Sequence, residues 1–205
     1  MKDEIRSDQF YVWFDTEYST LELETALLLQ VAALITDSSL KRVLPSGQDV
    51  RLTIRVPAGE TLSPWVEQHL PDLVKTCRSS EAVEREVADN RLAAYVDAAV
   101  GFPVEREDQR PILAGNSVHA DWYLARRFLP RFLCRLHYRH LDVTSFKLEW
   151  KHLHSDLEFE KENPEFIVRY FPEAVLPASG SRHDAYYDLQ ASIAELAYYR
   201  RLLFK

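Results

Sequence analysis

Two carboxylates, Asp15 and Glu17, stand two residues apart at the end of the apolar run FYVWF. Side chains two apart on a strand leave the same face. Carboxylates so placed repel each other unless a cation neutralises them, and oxygen-only sites of this kind suit Mg²⁺ or Mn²⁺. A D-x-E pair at a strand end is also a common chance pairing, and short motifs carry a high false-positive risk. Asp121 follows Gly115-Asn116-Ser117 and falls in the first turn of an expected helix, where the helix dipole favours an acid whatever its role. His183 and Asp188 have the spacing H-x₄-D, the histidine at a helix entry and the aspartate a turn inside. Alone, such a histidine reads as a capping or surface residue. Together the five put four carboxylates and an imidazole at strand ends and helix starts. Two-metal phosphoryl chemistry uses such a set, with carboxylates holding two cations ~3.5–4 Å apart. An imidazole of near-neutral pKa can then take the proton of an attacking water.

The elements that must position these residues are legible in outline. Residues 10–14 read as a buried strand, 26–36 (ALLLQVAALIT) as a second, and the alternating 50–56 (VRLTIRV) as a half-exposed third. These three form an antiparallel meander. A helix is expected from Ser63-Pro64 to Thr76, with proline where its missing N–H costs little, and another over 80–100. A short strand over 111–114, a helix over 119–128 stopped by Pro130, a strand over 141–143 and a helix over 145–152 follow. Residues 153–182 read mostly as loop with a short helix over 165–170, and 184–203 as a strongly amphipathic helix. The order predicts an α/β domain: a mixed five-stranded sheet flanked by helices, with residues 1–205 as one domain.

Composition narrows the setting. No apolar run approaches the ~20 residues of a membrane span, and MKDEIRSDQF lacks the apolar core of a secretory signal. Cys77 and Cys134 lie far apart in apolar surroundings, so buried thiols and a cytoplasmic protein are expected. A net charge of −7 argues against general nucleic-acid binding. Residues 122–141, however, hold no acid and carry Arg126, Arg127, Arg131, Arg135 and Arg139. Such a segment can bind a short anionic ligand locally, or simply face solvent on helices.

The surroundings of the acids are more specific than the acids. FDTEYSTLELETALLLQVAALITD resembles the first exonuclease segment of the oligoribonuclease family, D-x-E-M-T-G-L and the strand after it. ILAGNSVHADWYLARRFLP resembles the second, with G-N-S and an aspartate four residues beyond the serine. HYRHLDVTSFK resembles H-Y-R-x-x-D-V-S-T-x-K, and HDAYYDLQASIAELAYYR resembles H-x-A-x-x-D-I-x-E-S-I-A-E-L-x-Y-Y-R. The resemblance implies a DEDDh 3′→5′ exonuclease of ribonuclease H-like fold, hydrolysing short single-stranded RNA to nucleoside 5′-monophosphates with two divalent ions, Mg²⁺ or Mn²⁺. It implies Asp15, Glu17, Asp121 and Asp188 as metal ligands and His183 as general base. It also implies Leu21 against a base of the substrate, Trp65 as a further substrate-binding residue, and Ser117, Arg139 and Thr144 at the 5′ phosphate. Tyr138 would reach the partner's active site in a homodimer. Ordinary roles stand beside these: core packing for Leu21, Trp65 and Tyr138, and a helix cap for Ser117.

The chain also departs from the family pattern. M-T-G-L is Tyr18-Ser19-Thr20-Leu21, Gln30 stands where a glutamate is usual, the spacing from Trp65 to His69 is one residue short, and 149–182 match poorly. These departures leave open a DEDDh exonuclease for other single-stranded RNA or DNA; a second alternative, a non-catalytic RNA-binding relative, is disfavoured because all five catalytic positions hold the expected residue types. Relative rates on a 5′-phosphorylated dinucleotide and a 20-mer separate the first from an oligoribonuclease. Metal-dependent hydrolysis by the pure protein eliminates the second.

Overall fold

A computed structural model describes residues 9–101, 109–154, 158–176 and 183–203. Parts of the expected loop, 155–157 and 177–182, lie outside the described residues. Strand β1 (Phe10–Tyr18) is the middle of a five-stranded sheet. On one side it pairs antiparallel with β2 (Leu28–Asp37), which pairs antiparallel with β3 (Val50–Thr53). On the other it pairs parallel with β4 (Ile112–Gly115), which pairs parallel with β5 (His140–Asp142). The order is β3-β2-β1-β4-β5, the expected mixed sheet with its antiparallel meander.

Alternation along β1 divides the core in two. Val12 and Phe14 face a layer that includes Leu92 of α3 (Arg85–Val100), Leu124 of α4 (Val118–Phe128) and Phe132 of the short α5 (Pro130–Leu133). In chain order, α3 is preceded by α1 (Pro64–His69) and α2 (Pro71–Cys77). Trp13 faces the opposite layer, with Trp150 of α6 (Val143–Leu153), Ile167 of α7 (Pro164–Tyr170) and Ile193 of α8 (Ala185–Leu203). This parity continues past the core. Asp15 and Glu17 share the α8 side with Trp13, and Thr16 between them turns toward α4.

Several expectations change in detail. β1 runs on through the acids, so Asp15 and Glu17 sit inside paired strand, opposite Ala32 and Gln30, with a register shift only after Glu17. The expected helix over 63–76 breaks into α1 and α2 because Pro71 has no N–H to continue it. α3 begins at Arg85 because Val83 is drawn into extended pairing with Ile54. α8 is buried almost all round rather than amphipathic, because the sheet covers one side and α6 and α7 another. Its polar positions survive burial by being bonded: Gln190 Nε2 donates to the carbonyls of Val175 and Tyr186, and its Oε1 accepts from Val175 N. Cys77 is buried as expected; Cys134 is exposed. No helix among the described residues is long and apolar enough to cross a membrane.

Candidate active site

The C-terminal ends of β1 and β4 and the first turns of α4 and α8 meet around a cleft of about 630 Å³. Asp15, Glu17, Asp121, His183 and Asp188 all line it. Carboxylate oxygens of Asp15, Glu17 and Asp188 lie within 4.8 Å of one another. Local sequence explains how α8 delivers Asp188. Asp184 accepts from Tyr187 N at 2.9 Å, and Gln30 Oε1 accepts from Ala185 N at 3.0 Å. The helix start is thus fastened to β2, directly across from Glu17. Asp121, only 5% exposed, stands outside that trio and accepts a 2.7 Å hydrogen bond from the Thr16 hydroxyl. The residue between the two strand acids therefore orients the helix acid. Gly115 is needed where β4 closes on β1, since a Cβ there would come within 3.0 Å of the Phe14 carbonyl oxygen.

Crowding sets the electrostatics. Burial raises the Asp15 carboxyl well above the usual range, and the charges of Asp121, Asp188 and Glu17 raise it further. Burial, followed by Asp188 and Asp184, pushes Glu17 up to about 8. Burial raises Asp121 as well, against the bond from Thr16. Repulsion among buried carboxylates is what a bound cation relieves. The donors are all hard oxygens, the chemistry that fits Mg²⁺ or Mn²⁺, and Asp15, Glu17, Asp188 and neighbouring Asp121 could hold it. A cation that sequence reasoning missed already reaches this cluster: Lys161 Nζ lies 2.7 Å from Asp188 Oδ1.

The rim carries the remaining candidates. Leu21 (88% exposed) and Trp65 (49% exposed) line the cleft and are not core. The Trp65 ring stacks on His69 at 4.5 Å and meets His183 edge-on at 5.4 Å. His183 is exposed and holds a left-handed backbone, φ 60°, uncommon outside glycine. Ser117 is left-handed too and does not cap α4 with its side chain. Its N–H instead donates to Asp142 Oδ1 and to Thr144 Oγ1, with its hydroxyl 3.3 Å from that of Thr144. The two hydroxyls expected at a phosphate are thus brought together.

A buried network behind them was not foreseen. Thr144 donates to Asn116 Oδ1, and Asn116 Nδ2 donates to Ser192 Oγ and to Glu195 Oε2 at 2.9 Å each. Fully buried Glu195 also accepts from Tyr199 and has Lys147 Nζ at 3.5 Å. The sequence signal was an acid at an interior position of an apolar helix.

Tyr138 and Arg139 are not brought to the cleft. Tyr138 is 67% exposed, stacked on His137, with the Arg139 guanidinium over its ring. Both precede β5, at the end of that strand away from Ser117. Most arginines of the acid-free segment serve the protein itself. Arg127 donates to the Leu23 and Ala26 carbonyls, Arg131 binds Asn90, Arg135 pairs with Asp97 and Arg126 stacks over Trp122.

No protein-family model matches the chain. Its fold matches Escherichia coli exonuclease I in a single-stranded DNA complex with a TM-score of 0.70 at 13% identity, over 96% of this chain and 41% of that one. Exonuclease I of Methylocaldum szegediense matches with a TM-score of 0.67 at 16% identity, again over 96% of this chain and 41% of the other. These likenesses define the fold, an α/β domain with the mixed five-stranded sheet of the ribonuclease H-like kind. The curated relatives are narrower. The chain is 32% identical to the oligoribonuclease of Nocardia farcinica over 202 residues, 97% of this chain and 82% of that one. It is 31% identical to that of Streptomyces avermitilis over 198 residues, 94% and 86% respectively. With the mouse mitochondrial oligoribonuclease it shares 30% over 204 residues, 96% and 74%. The chain belongs to the oligoribonuclease family.

Proposed function

We propose that this protein is a 3′→5′ exoribonuclease that hydrolyses very short RNA to nucleoside 5′-monophosphates, acting as a cytoplasmic homodimer. The observation that carries this reading is the trio Asp15, Glu17 and Asp188, whose oxygens lie within 4.8 Å at the floor of an open cleft. Asp15, Glu17, Asp121 and Asp188 would hold two Mg²⁺ or Mn²⁺ ions. When bound, such ions lower the pKa of water and neutralise charge on the leaving oxygen. His183 stands on the cleft wall with the Trp65 ring edge-on to it, where it can accept the proton of the attacking water. Leu21 and Trp65 offer apolar surface for bases.

The Ser117 hydroxyl is a donor suited to a terminal phosphate, and the Thr144 hydroxyl beside it would join it by turning from Asn116. A closed end that binds a 5′ phosphate would favour substrates of a few nucleotides. Tyr138 and Arg139, exposed together away from their own cleft, would act in the partner subunit. The test is hydrolysis of a 5′-phosphorylated diribonucleotide with Mn²⁺ or Mg²⁺ and with chelator. Metal-dependent release of mononucleotides supports the reading; no hydrolysis with any divalent ion refutes it.

A further inference from the structure

Lys161 lies between α6 and α7, and its ammonium is ion-paired to the carboxylate cluster through Asp188. Its position is built. Phe159 is buried against Phe166, Tyr170 and Tyr198. Lys161 N donates to Phe159 O at 3.1 Å, closing a tight turn. The Tyr187 hydroxyl donates to Lys161 O at 3.1 Å, tying that turn to α8 one residue before Asp188. On the far side, Asn163 accepts from Glu165 N and Phe166 N and so caps α7. A lysine held at both flanks loses less freedom in forming its ion pair than one on a mobile loop. Lys161 touches one oxygen of Asp188, leaving the carboxylate able to bind a second cation through the other.

We infer that Lys161 is a resident counter-cation that weakens divalent loading of the substrate-free site. The inference rests on the metal-dependent reading of the cleft and follows from charge. Asp15, Glu17, Asp121 and Asp188 balance two divalent ions when all four are ionised. The ammonium adds a fifth positive charge beside them, offset only in part by Asp184 near Glu17 and Glu195 near Lys161, and a phosphodiester of the substrate brings further negative charge. Full loading therefore favours the substrate-bound state, and ions are held loosely without it.

The experiment is calorimetric titration of Mn²⁺ into metal-stripped, substrate-free protein, at mildly alkaline pH and constant ionic strength. Lys161→Met should bind Mn²⁺ at least about threefold more tightly than wild type, the scale of one partly exposed like charge removed from beside the ions. Lys161→Arg, which keeps the charge, should stay within about twofold of wild type. A gain below about threefold for Lys161→Met, or the same gain for Lys161→Arg, overturns the inference. Adding Asp15→Asn to Lys161→Met must remove the tighter binding. No saturable Mn²⁺ binding in either wild type or Lys161→Met defeats the metal reading itself, a failure distinct from equal measurable affinities in the two proteins. Matched thermal midpoints with chelator verify that each variant is folded.

Discussion

Repulsion among Asp15, Glu17 and Asp188 has a cost in the metal-free chain, and its sign can be read from Glu17. Its carboxyl is raised to about 8, chiefly by burial. A carboxyl raised on folding stabilises the folded state below the ordinary carboxylate range, and that contribution is lost as pH climbs through the raised value. The thermal midpoint of the chelated protein should therefore fall by at least ~5 °C between about pH 5 and pH 9. Saturating Mg²⁺ or Mn²⁺ should restore it, and Glu17→Gln should flatten the slope. A midpoint that is level or rises over that window, measured by scanning calorimetry, contradicts this electrostatic picture. Asp15→Asn and Asp188→Asn should abolish hydrolysis while leaving a cooperative melt. His183→Ala should lower kcat by ~10²–10⁴-fold, the usual worth of a general base. Mn²⁺ affinity should persist in that variant, since the imidazole is not among the proposed ligands. A rate loss under about threefold removes His183 from that role.

At the scale of elements, α8 carries more than Asp188. Its interior acid, Glu195, holds Asn116, which holds Thr144, which meets Ser117 at the cleft edge. Asn116→Ala should destabilise the fold by about 1–3 kcal/mol, because it strips a partner from a buried carboxylate. It should also raise KM for a 5′-phosphorylated dinucleotide more than for the unphosphorylated one, read from steady-state kinetics. Equal changes for both substrates would separate the network from phosphate binding.

What the sequence shows of this assembly follows from the range of each interaction. D-x-E is legible because two-residue parity on a strand is local, and the same parity puts Thr16 under Asp121. H-x₄-D is legible because a helix start sits between the two residues. The amphipathic reading of α8 fails because α6 and α7 cover the side that periodicity assigns to solvent. Lys161 and the Glu195 network escape notice because they depend on contacts between distant segments. Gln30 reads in the sequence as a departure; in the fold it fastens the start of α8.

For the molecule as a whole, the central strand and the two covered faces fix a cleft that opens at the ends of β1 and β4, while Tyr138 and Arg139 stay outside it. If these two act across a homodimer, mixing chains should reveal it. A dimer of Asp15→Asn with a Tyr138→Ala, Arg139→Ala chain keeps one working site, because the first chain supplies its intact Tyr138 and Arg139 to the second chain's intact carboxylates. Action within one chain leaves both sites incomplete, and the mixed dimer is then inactive on dinucleotides.

The central claim is that this cleft removes single nucleotides from the 3′ end of short RNA with divalent metal. The most direct measurement follows 5′-labelled RNAs of two, five and about twenty nucleotides through a Mn²⁺ time course, resolving every product by length. The account predicts a ladder that shortens by one nucleotide from the 3′ end, fastest on the dinucleotide and absent with chelator. Internal cleavage products, or a twenty-mer degraded faster than the dinucleotide, would contradict it.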